Sequence, residues 1–384
     1  MDFHLEEHHL ALQQTVRRFA ENEITPLVAE LDEREEFPCH IIRKLGELGI
    51  MGLPFPREYG GVGADALSLI IALEELARAD SSVAVTIEAT VSLAGQLLFR
   101  YGTEDQKRQW LVPLAKGEVL GSFGLTEPDA GSDTNSIATT AVLDGDQWVI
   151  NGSKNFITNA GTEMSGFIVV AAVSGERDGK KEFSSIIVPS GTPGYNVGKA
   201  FKKIGWHASD TREISFDDCR VPAENLLGET GHGRRQFLES LTGARIAFAA
   251  MAVGLAQTCL DLSLSYAQKR VQFGRPLIEH QAIQFKLADM AMNVELARMA
   301  TYKAACLMDE GAPFRKEAAI AKLFATEAAV KIAEEAVQIH GGYGYIRETP
   351  ISRFYRDSKI LTIAEGTSEV HRMIIARELV SQRT

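Results

Sequence analysis

The spacing of the apolar residues changes twice along this chain, and this change constrains the fold more than any other feature. From about residue 5 to 117 apolar residues recur every three or four positions, as in LSLIIALEELARA, which predicts helices. From about 119 to 226 short β-branched runs separated by turn residues replace that pattern, as in GFIVVAAVS. After Gly231 the helical spacing returns. The sequence therefore predicts an α+β protein in the order helices, strands, helices.

These changes predict three domains. We place an N-terminal helical domain at 1–118, a middle β domain, either a barrel or a sandwich, at 119–226, and a C-terminal helical bundle at 227–384. Within the middle domain Asp144-Gly145 predicts a hairpin, because both residues accept the positive φ angles of a tight turn. Long helices with short links are typical of a bundle, and we predict them near 234–269, 280–309, 314–340 and 367–381.

Charge and composition exclude several classes of protein. The chain has 51 acidic residues against 40 Lys and Arg, a net charge of −11, so it has no positive field for non-specific binding to nucleic acid. Its four separated cysteines form no C-x-x-C pair, which favours a cytoplasmic setting. We expect neither a signal peptide nor membrane insertion, because no run of 18 apolar residues occurs. His4, His8 and His9 lack H-E-x-x-H spacing, so no metal site is expected.

Two segments at the start of the β region carry groups suited to a planar or phosphate-bearing ligand. In FGLTEPDAGSD the hydroxyls of Thr126 and Ser132 and free backbone N–H groups suit a polar ring edge or a phosphate, although a connecting turn has the same composition. In KNFITNAG a planar cofactor can stack on Phe156 and bond Thr158, although an ordinary strand looks similar.

Two further segments lie among the C-terminal helices. In RVQFGRPLIEHQAIQ the guanidinium of Arg270 matches pyrophosphate oxygens, and Gln272 and Gln281 add donors; a solvated loop is the plain alternative. In QIHGGYGYIRE the Gly341-Gly342 pair permits either a left-handed helix cap or close approach of a bulky ligand to the main chain.

The segment LTIAEGTSEVHRM contains a lone carboxylate, Glu365, between an apolar run and a glycine. Partial desolvation there would raise its pKa and make it a better proton acceptor near neutral pH, whereas an exposed loop carboxylate is the alternative. Thr367 is the predicted N-cap of the following helix, with Glu369 in the first turn. The predicted buried face of that helix comprises Val370, Met373 and Ile374.

The chain resembles the acyl-CoA dehydrogenase family over nearly its whole length. Five segments occur in the family's order and at its spacing: FGLTEPDAGSD, KNFITNAG, RVQFGRPLIEHQAIQ, QIHGGYGY and IAEGTSEVHRMIIAREL. The resemblance implies the family's helix–β–helix fold and a flavoprotein that binds FAD noncovalently. It also implies dehydrogenation of an acyl-CoA thioester to the 2-enoyl-CoA, in fatty acid or carboxylic acid degradation. Glu365 would remove the α proton, flavin N5 would accept the β hydride, and electrons would pass to an electron-transfer flavoprotein.

The resemblance also assigns roles to individual positions. The base lies in the E-G-T segment, as in short- and medium-chain members; other branches carry it just before the arginine of LTGAR, where this chain has Ala244. The implied substrate contacts are Ser132, Thr242, Arg245 and Gly366. The implied FAD contacts are Phe123, Leu125, Thr126, Ser132, Phe156, Thr158, Arg270, Gln272, Phe273, Gln281, Gln338, Gly341, Gly342, Thr367 and Glu369.

Members of the family are usually tetramers in which a neighbouring subunit completes the FAD site, so a homotetramer is expected. Two positions depart from the family pattern: tryptophan is common at Phe156, and aspartate is common at Thr242. An acyl-CoA oxidase is the alternative enzyme, although such enzymes typically carry a further C-terminal domain. A non-catalytic flavin-binding helical scaffold is the alternative outside enzymes. The sequence does not fix the acyl group.

Overall fold

The computed structural model describes residues 4–381 and has helices at both ends with a sheet between them. The N-terminal helices are α1 (Glu7–Phe19), α2 (Val28–Arg34), α3 (Cys39–Glu47), α4 (Ala66–Ala79), α5 (Ser81–Glu88), α6 (Gln96–Tyr101), α7 (Glu104–Gln106) and α8 (Val112–Ala115). Within the described range, three π-helical segments extend them. Ala20–Ile24 continues α1, Ala89–Gly95 joins α5 to α6, and Lys107–Leu111 joins α7 to α8.

Eight strands of the described chain form one mixed sheet. They are β1 (Leu120–Gly124), β2 (Thr140–Asp144), β3 (Gln147–Thr158), β4 (Ser165–Arg177), β5 (Lys180–Pro189), β6 (Tyr195–Ala200), β7 (Thr211–Pro222) and β8 (Leu226–Leu227). The order is β6-β7-β3-β2-β4-β5-β8, and β1 pairs in parallel with β4. The predicted hairpin at Asp144-Gly145 joins the antiparallel strands β2 and β3, with φ of 64° at Gly145.

Strand β4 explains how the sheet attaches to the helices. Alternate residues of a strand point to opposite faces, and β4 is apolar on both. One face joins the core shared with the helices through Phe167, Val169 and Ala171. The other face enters a separate core inside the sheet through Ile168, Val170 and Ala172.

The C-terminal region is built around one long helix, α9 (Gly233–Lys269), which packs against α4, α10, α11 and α13. A short hairpin of β9 (Val271–Gln272) and β10 (Arg275–Pro276) follows it. The remaining helices are α10 (Gln281–Asp309), α11 (Arg315–His340), α12 (Gly342–Tyr345), α13 (Pro350–Leu361) and α14 (Ser368–Ser381). The four predicted long helices agree with the structure to within a residue at each end, whereas α13 was missed.

A buried ion pair fixes α13 against the junction of α4 and α5. Arg353 Nη1 donates to Asp80 Oδ2 at 2.7 Å, and both side chains are buried. Asp80 also caps α5, since its Oδ1 accepts from the backbone N–H groups of Ser82 and Val83 at 2.6 and 3.1 Å. The carboxylate therefore has partners on both oxygens, which offsets the cost of burying it.

Two helices are long and apolar enough to cross a membrane by length and composition, Ser81–Tyr101 and Gly233–Lys269. In each, most of the apolar window is buried inside the protein, 89% and 72% respectively. Such burial is typical of core helices, so their length and hydropathy are weak evidence for a membrane span. The α+β organisation is confirmed, and the three domain boundaries stay predictions.

Candidate active site

Glu365 lies in a tight turn between α13 and α14. Its backbone is left-handed, with φ of 58°, and Gly366 follows with φ of 94°. A non-glycine residue in this region is strained and is held there by its surroundings. Thr367 then caps α14, as predicted, since its Oγ1 accepts from Val370 N at 3.3 Å. Glu365 keeps some exposed surface, but its Oε2 atom is buried and has no hydrogen-bond partner among residues 4–381.

The predicted buried face of α14 is confirmed in part. Ile374 is 6% exposed, so its predicted burial is confirmed. Met373 is 52% exposed, so its predicted burial is wrong, because that side of the helix faces outward.

Four further ionisable side chains are buried around Glu365, and together with it they form what we call the buried ionisable cluster. They come from four different helices and are Glu88 of α5, Arg245 of α9, Lys322 of α11 and His371 of α14. Lys322 Nζ donates to the carbonyl oxygen of Gly366 at 2.8 Å. Arg245 Nη1 lies 3.5 Å from Thr242 Oγ1, while its Nε has no partner within the described chain.

Burial dominates the protonation of this cluster. It raises the pKa of Glu365 to about 7, although the positive charges of Arg245 and Lys322 oppose the rise. It lowers the pKa of Lys322 to about 7 and that of Arg245 to about 10, with the Glu365 charge acting in the opposite direction in both. His371 has its pKa lowered to about 3 by burial and by the two cations, so its ring is neutral. The carboxyl of Glu365 therefore changes charge near neutral pH.

Glu88 is the other acid of the cluster. It is 1% exposed, and its Oε1 has no hydrogen-bond partner in the part of the chain described. Burial, reinforced by the charge of Glu365, raises the pKa of Glu88 well above its usual range.

The two segments at the start of the β region come together at the edge of the sheet, as the cofactor interpretation requires. Lys154 Nζ donates to Leu125 O at 3.3 Å and to the carboxylate of Glu127 at 2.6 Å. The N–H of Asn155 donates to Thr126 O at 2.8 Å. Residues 125–127 are thereby held alongside β3.

Phe156 presents an aromatic face to the outside at this edge. Its backbone φ is 58°, and the pairing of β3 with β7 shifts between Lys154 and Ile157, so a bulge turns the side chain outward. The ring is 63% exposed and lies 5.4 Å, centroid to centroid, from that of Phe201. An exposed aromatic ring beside a loop of free polar groups suits a planar ligand with polar edges.

This edge of the sheet adjoins the buried ionisable cluster. Phe123 of β1 packs against a small apolar group of Ala89, Leu93 and Ala244, the last of which directly precedes Arg245. Asn159, just after β3, donates through Nδ2 to Thr86 O and Thr90 Oγ1, each at 3.0 Å. The helix that carries Glu88 is therefore tied to the strand that carries Phe156.

The predicted residues of the C-terminal half meet at a different place. Arg270, Gln272, Gly341 and Gly342 line one open cleft of about 640 Å³, between the β9–β10 hairpin and the end of α11. Phe273, at the tip of the hairpin, is 96% exposed. Among residues 4–381, no hydrogen bond or ring contact joins this cleft to Phe156 or Phe123.

Several predicted residues are simply exposed in this structure. Gln281 and Gln338 are on the surface at the ends of α10 and α11. Ser132 lies in the exposed loop after β1, and Glu369 lies exposed in the first turn of α14. Such positions reach a ligand only if it lies on the outside of the subunit.

Sequence reasoning missed Glu88, Lys322 and His371. A usable signal existed for two of them, because Glu88 in SSVAVTIEATVSLAG and Lys322 in AAIAKLFA are lone charges in apolar helical runs. His371 gave no such signal, since it stands between Val370 and Arg372 in a mixed helix.

Of the N-terminal histidines, His4 and His8 are exposed and His9 is buried. His9 is 4% exposed, and its Nε2 lies 3.0 Å from Asp65 Oδ2. Asp65 caps α4, since its Oδ1 accepts from Ser68 N at 2.8 Å. The side-chain ligand atoms of His8, His9 and Asp65 lie within 4.8 Å of one another.

Comparisons with known proteins agree over the whole chain. Family models for the N-terminal, middle and C-terminal domains of acyl-CoA dehydrogenases match residues 6–118, 122–219 and 231–380. The probable acyl-CoA dehydrogenase YngJ of Bacillus subtilis is 49% identical over 381 residues, 99% of this chain and 100% of that protein.

Two solved structures are similarly close. Butyryl-CoA dehydrogenase from Megasphaera elsdenii is 44% identical with a TM-score of 0.96, and the match covers 99% of this chain and 100% of that one. A second chain, from a structure described as the electron transferring flavoprotein of Acidaminococcus fermentans, is 44% identical with a TM-score of 0.96 and 99% coverage of both chains.

Proposed function

Because the chain belongs to the acyl-CoA dehydrogenase family of FAD-dependent oxidoreductases, we propose that it oxidises a short-chain acyl-CoA thioester to the 2-enoyl-CoA, with Glu365 removing the α proton. The observation that carries this proposal is the buried Oε2 of Glu365, which has no partner in the described chain, on a carboxyl whose pKa is raised to about 7. A carboxyl with such a pKa is ionised near neutral pH and still binds a proton well, as a general base must.

The placement of the cations supports this role. Lys322 donates to the carbonyl oxygen of Gly366, and neither Lys322 nor Arg245 forms an ion pair within 4.0 Å with Glu365 among residues 4–381. A direct ion pair would lower the pKa of the carboxyl and weaken it as a base. The cations instead stabilise the charged carboxylate from a distance, which leaves its oxygen free to accept a proton.

The edge of the sheet fits the FAD that the family binds. Phe156 offers an exposed ring for the isoalloxazine, and hydrogen bonds from Lys154 and Asn155 hold Leu125 and Thr126 beside the strand that carries Phe156. Phe123 connects this face with Ala244, next to Arg245, so the proposed cofactor face and Glu365 adjoin. Bound FAD supplies the acceptor for the hydride that leaves the β carbon.

Further proposed cofactor contacts are Ser132, Thr367 and Glu369. In the same proposal Ser132, Thr242, Arg245 and Gly366 bind the thioester substrate. The hydrogen bond of Lys322 to Gly366 supports a fixed position for this turn.

A second copy of the chain is required to complete the FAD site. Several proposed contacts are exposed and lie apart from Phe156, which supports contact with the cofactor of another subunit: Arg270, Gln272, Gly341 and Gly342 of the separate cleft, together with Phe273, Gln281 and Gln338. Helix α10 supports such assembly, because one face exposes Phe285, Met292, Leu296 and Met299, which are 44–61% exposed. An apolar face of this kind favours burial against a partner. We propose a homotetramer, which light scattering would test.

The acyl group and the electron acceptor follow from the relatives. One structural neighbour is named a butyryl-CoA dehydrogenase, which supports a short acyl group. Another comes from a structure of an electron transferring flavoprotein, which supports a protein of that kind as the electron acceptor. The alternative acceptor is oxygen, and oxygen consumption during turnover would identify an oxidase.

The test is direct reduction of the bound flavin. We expect the purified protein to show oxidised-flavin absorbance that butyryl-CoA bleaches anaerobically. Glu365→Gln should bleach at least about a thousandfold more slowly, because an amide cannot accept the α proton. Glu310→Gln makes the same chemical change on the surface and should bleach at the parent rate. If Glu365→Gln bleached as quickly as the parent, Glu365 would not be the base.

A further inference from the structure

Glu88 is a buried acid for which the proposed reaction has no use. It ends α5 and is the one acidic residue in the buried stretch Ser81–Gly95. It is 1% exposed, and its Oε1 has no hydrogen-bond partner among residues 4–381. A buried polar atom without a partner is unfavourable for the fold, so the Oε1 atom of Glu88 points to a role in binding a ligand.

The surroundings of Glu88 connect it to the proposed site. The next residue, Ala89, opens the π-helical segment Ala89–Gly95, which packs on β1 and α9. Ala89 belongs to the apolar group that includes Ala244 and contacts Phe123. An acyl chain held beside Glu365 and Phe123 therefore meets small apolar side chains and the carboxyl of Glu88.

The charge state of Glu88 follows from its neighbours. Within the described chain it has no ion-pair partner, and the charged group that acts on it is Glu365, whose charge adds to burial in raising the pKa of Glu88. When Glu365 is ionised and ready to act, Glu88 keeps its proton. A neutral carboxylic acid offers one O–H donor and a carbonyl acceptor.

We propose that Glu88 determines the acyl specificity of this enzyme by hydrogen-bonding an uncharged oxygen substituent, a hydroxyl or a ketone, on the γ carbon of a short acyl-CoA. This inference rests on the proposed dehydrogenation at Glu365. The α and β carbons become the double bond, so we place the substituent on the first carbon beyond them, the γ carbon.

Other acyl groups match the site less well. A plain alkyl chain leaves the Oε1 atom of Glu88 without a partner. A distal carboxylate would be repelled by ionised Glu365, and no cation of the cluster acts on Glu88 to offset that repulsion. An uncharged oxygen group satisfies the carboxylic acid without adding charge.

The test compares thioesters of one chain length on the holoenzyme. The substrates are pentanoyl-CoA, 4-hydroxypentanoyl-CoA and 4-oxopentanoyl-CoA, with glutaryl-CoA as the charged analogue, and kcat/KM is measured from anaerobic flavin bleaching. We expect the parent protein to favour at least one of the two oxygenated substrates over pentanoyl-CoA by about tenfold or more. Glu88→Gln keeps a donor and an acceptor and should retain this preference, whereas Glu88→Leu should abolish or reverse it.

Product binding gives a readout independent of turnover. Calorimetry with pent-2-enoyl-CoA and its 4-hydroxy and 4-oxo derivatives should show the same preference in Kd, lost in Glu88→Leu. An effect of Glu88 on folding alone would weaken binding of all ligands equally and leave their ratio unchanged, which would overturn the inference.

The parent protein alone can also overturn it, even if Glu88→Leu fails to fold. If pentanoyl-CoA bleached the flavin as fast as both oxygenated substrates, or faster, Glu88 would not hydrogen-bond the substituent of the substrate. The inference would then fail while the proposed function stands. If glutaryl-CoA were the best substrate, Glu88 would not be a neutral donor. If no thioester bleached the flavin, the proposed function itself would fail, and this inference with it.

Discussion

The proton-acceptor role of Glu365 predicts how the rate of flavin reduction depends on pH. Burial raises the pKa of this carboxyl to about 7, and only the ionised form can take the α proton. As pH falls through about 7 the ionised fraction drops, so the rate falls with it. Relative to the plateau at high pH, we expect a rate about tenfold lower near pH 6 and about a hundredfold lower near pH 5.

The assay is anaerobic stopped-flow reduction by butyryl-CoA, followed by oxidised-flavin absorbance. Absorbance of the resting enzyme at each pH shows whether the flavin stays bound. Glu365→Asp should keep the acidic limb of the profile at a lower plateau, because its carboxylate is one methylene shorter. Glu310→Gln should reproduce the parent profile.

Neighbouring charges make the prediction sharper. The groups of the cluster that face Glu365 are Glu88, Arg245, Lys322 and His371. Removing the cation in Lys322→Met should move the midpoint to higher pH, because Lys322 lowers the pKa of Glu365. Glu88→Gln should leave the midpoint in place, because Glu88 is already uncharged there. A rate that is flat between about pH 5 and pH 8, or that falls as pH rises through 7, would refute the assignment of Glu365 as the base.

Three other substitutions test the fold and the cofactor face. Lys154→Met leaves the buried Glu127 carboxylate without its cation, so we expect a loss of about 3 kcal/mol, seen as a lower Tm than that of the parent. Phe156→Ala should weaken FAD binding by about 1 kcal/mol, whereas Phe156→Trp should retain it; flavin-to-protein ratios after gel filtration decide this. Arg353→Met leaves the buried Asp80 carboxylate without its cation and should lower the free energy of unfolding by about 3–5 kcal/mol, measured by urea unfolding. An unchanged midpoint would show that the ion pair is not needed for stability.

The organisation of the chain was predictable from its apolar spacing. Periodicity located α9, α10, α11 and α14 to within a residue, because apolar residues recur at helical spacing over many turns. The motif resemblance gave the family, the FAD dependence and the enzyme class, all of which the comparisons confirm. Helix α13 was not predicted, although the Pro at its first position is compatible with a helix start.

The backbone of the site was not predictable in the same way. Phe156, Asn159, Phe273 and Glu365 all have positive φ although none is a glycine. Local sequence disfavours such geometry, so tertiary contacts must impose it. The catalytic role of Glu365 and the cofactor contacts stay predictions, because neither motif nor geometry measures chemistry.

The buried ionisable cluster shows why the sequence alone does not predict which charged residues meet in one site. Glu88, Lys322 and Glu365 each look like a misplaced charge, since each stands alone in an apolar segment. The role of each side chain depends on which atoms it contacts in the folded protein. Burial raises the pKa of Glu365 to about 7, and Lys322 opposes that rise only from a distance, because its Nζ bonds the carbonyl of Gly366 and not the carboxylate. Had the same lysine reached the carboxylate, it would have held the pKa below its usual range and left a weak base.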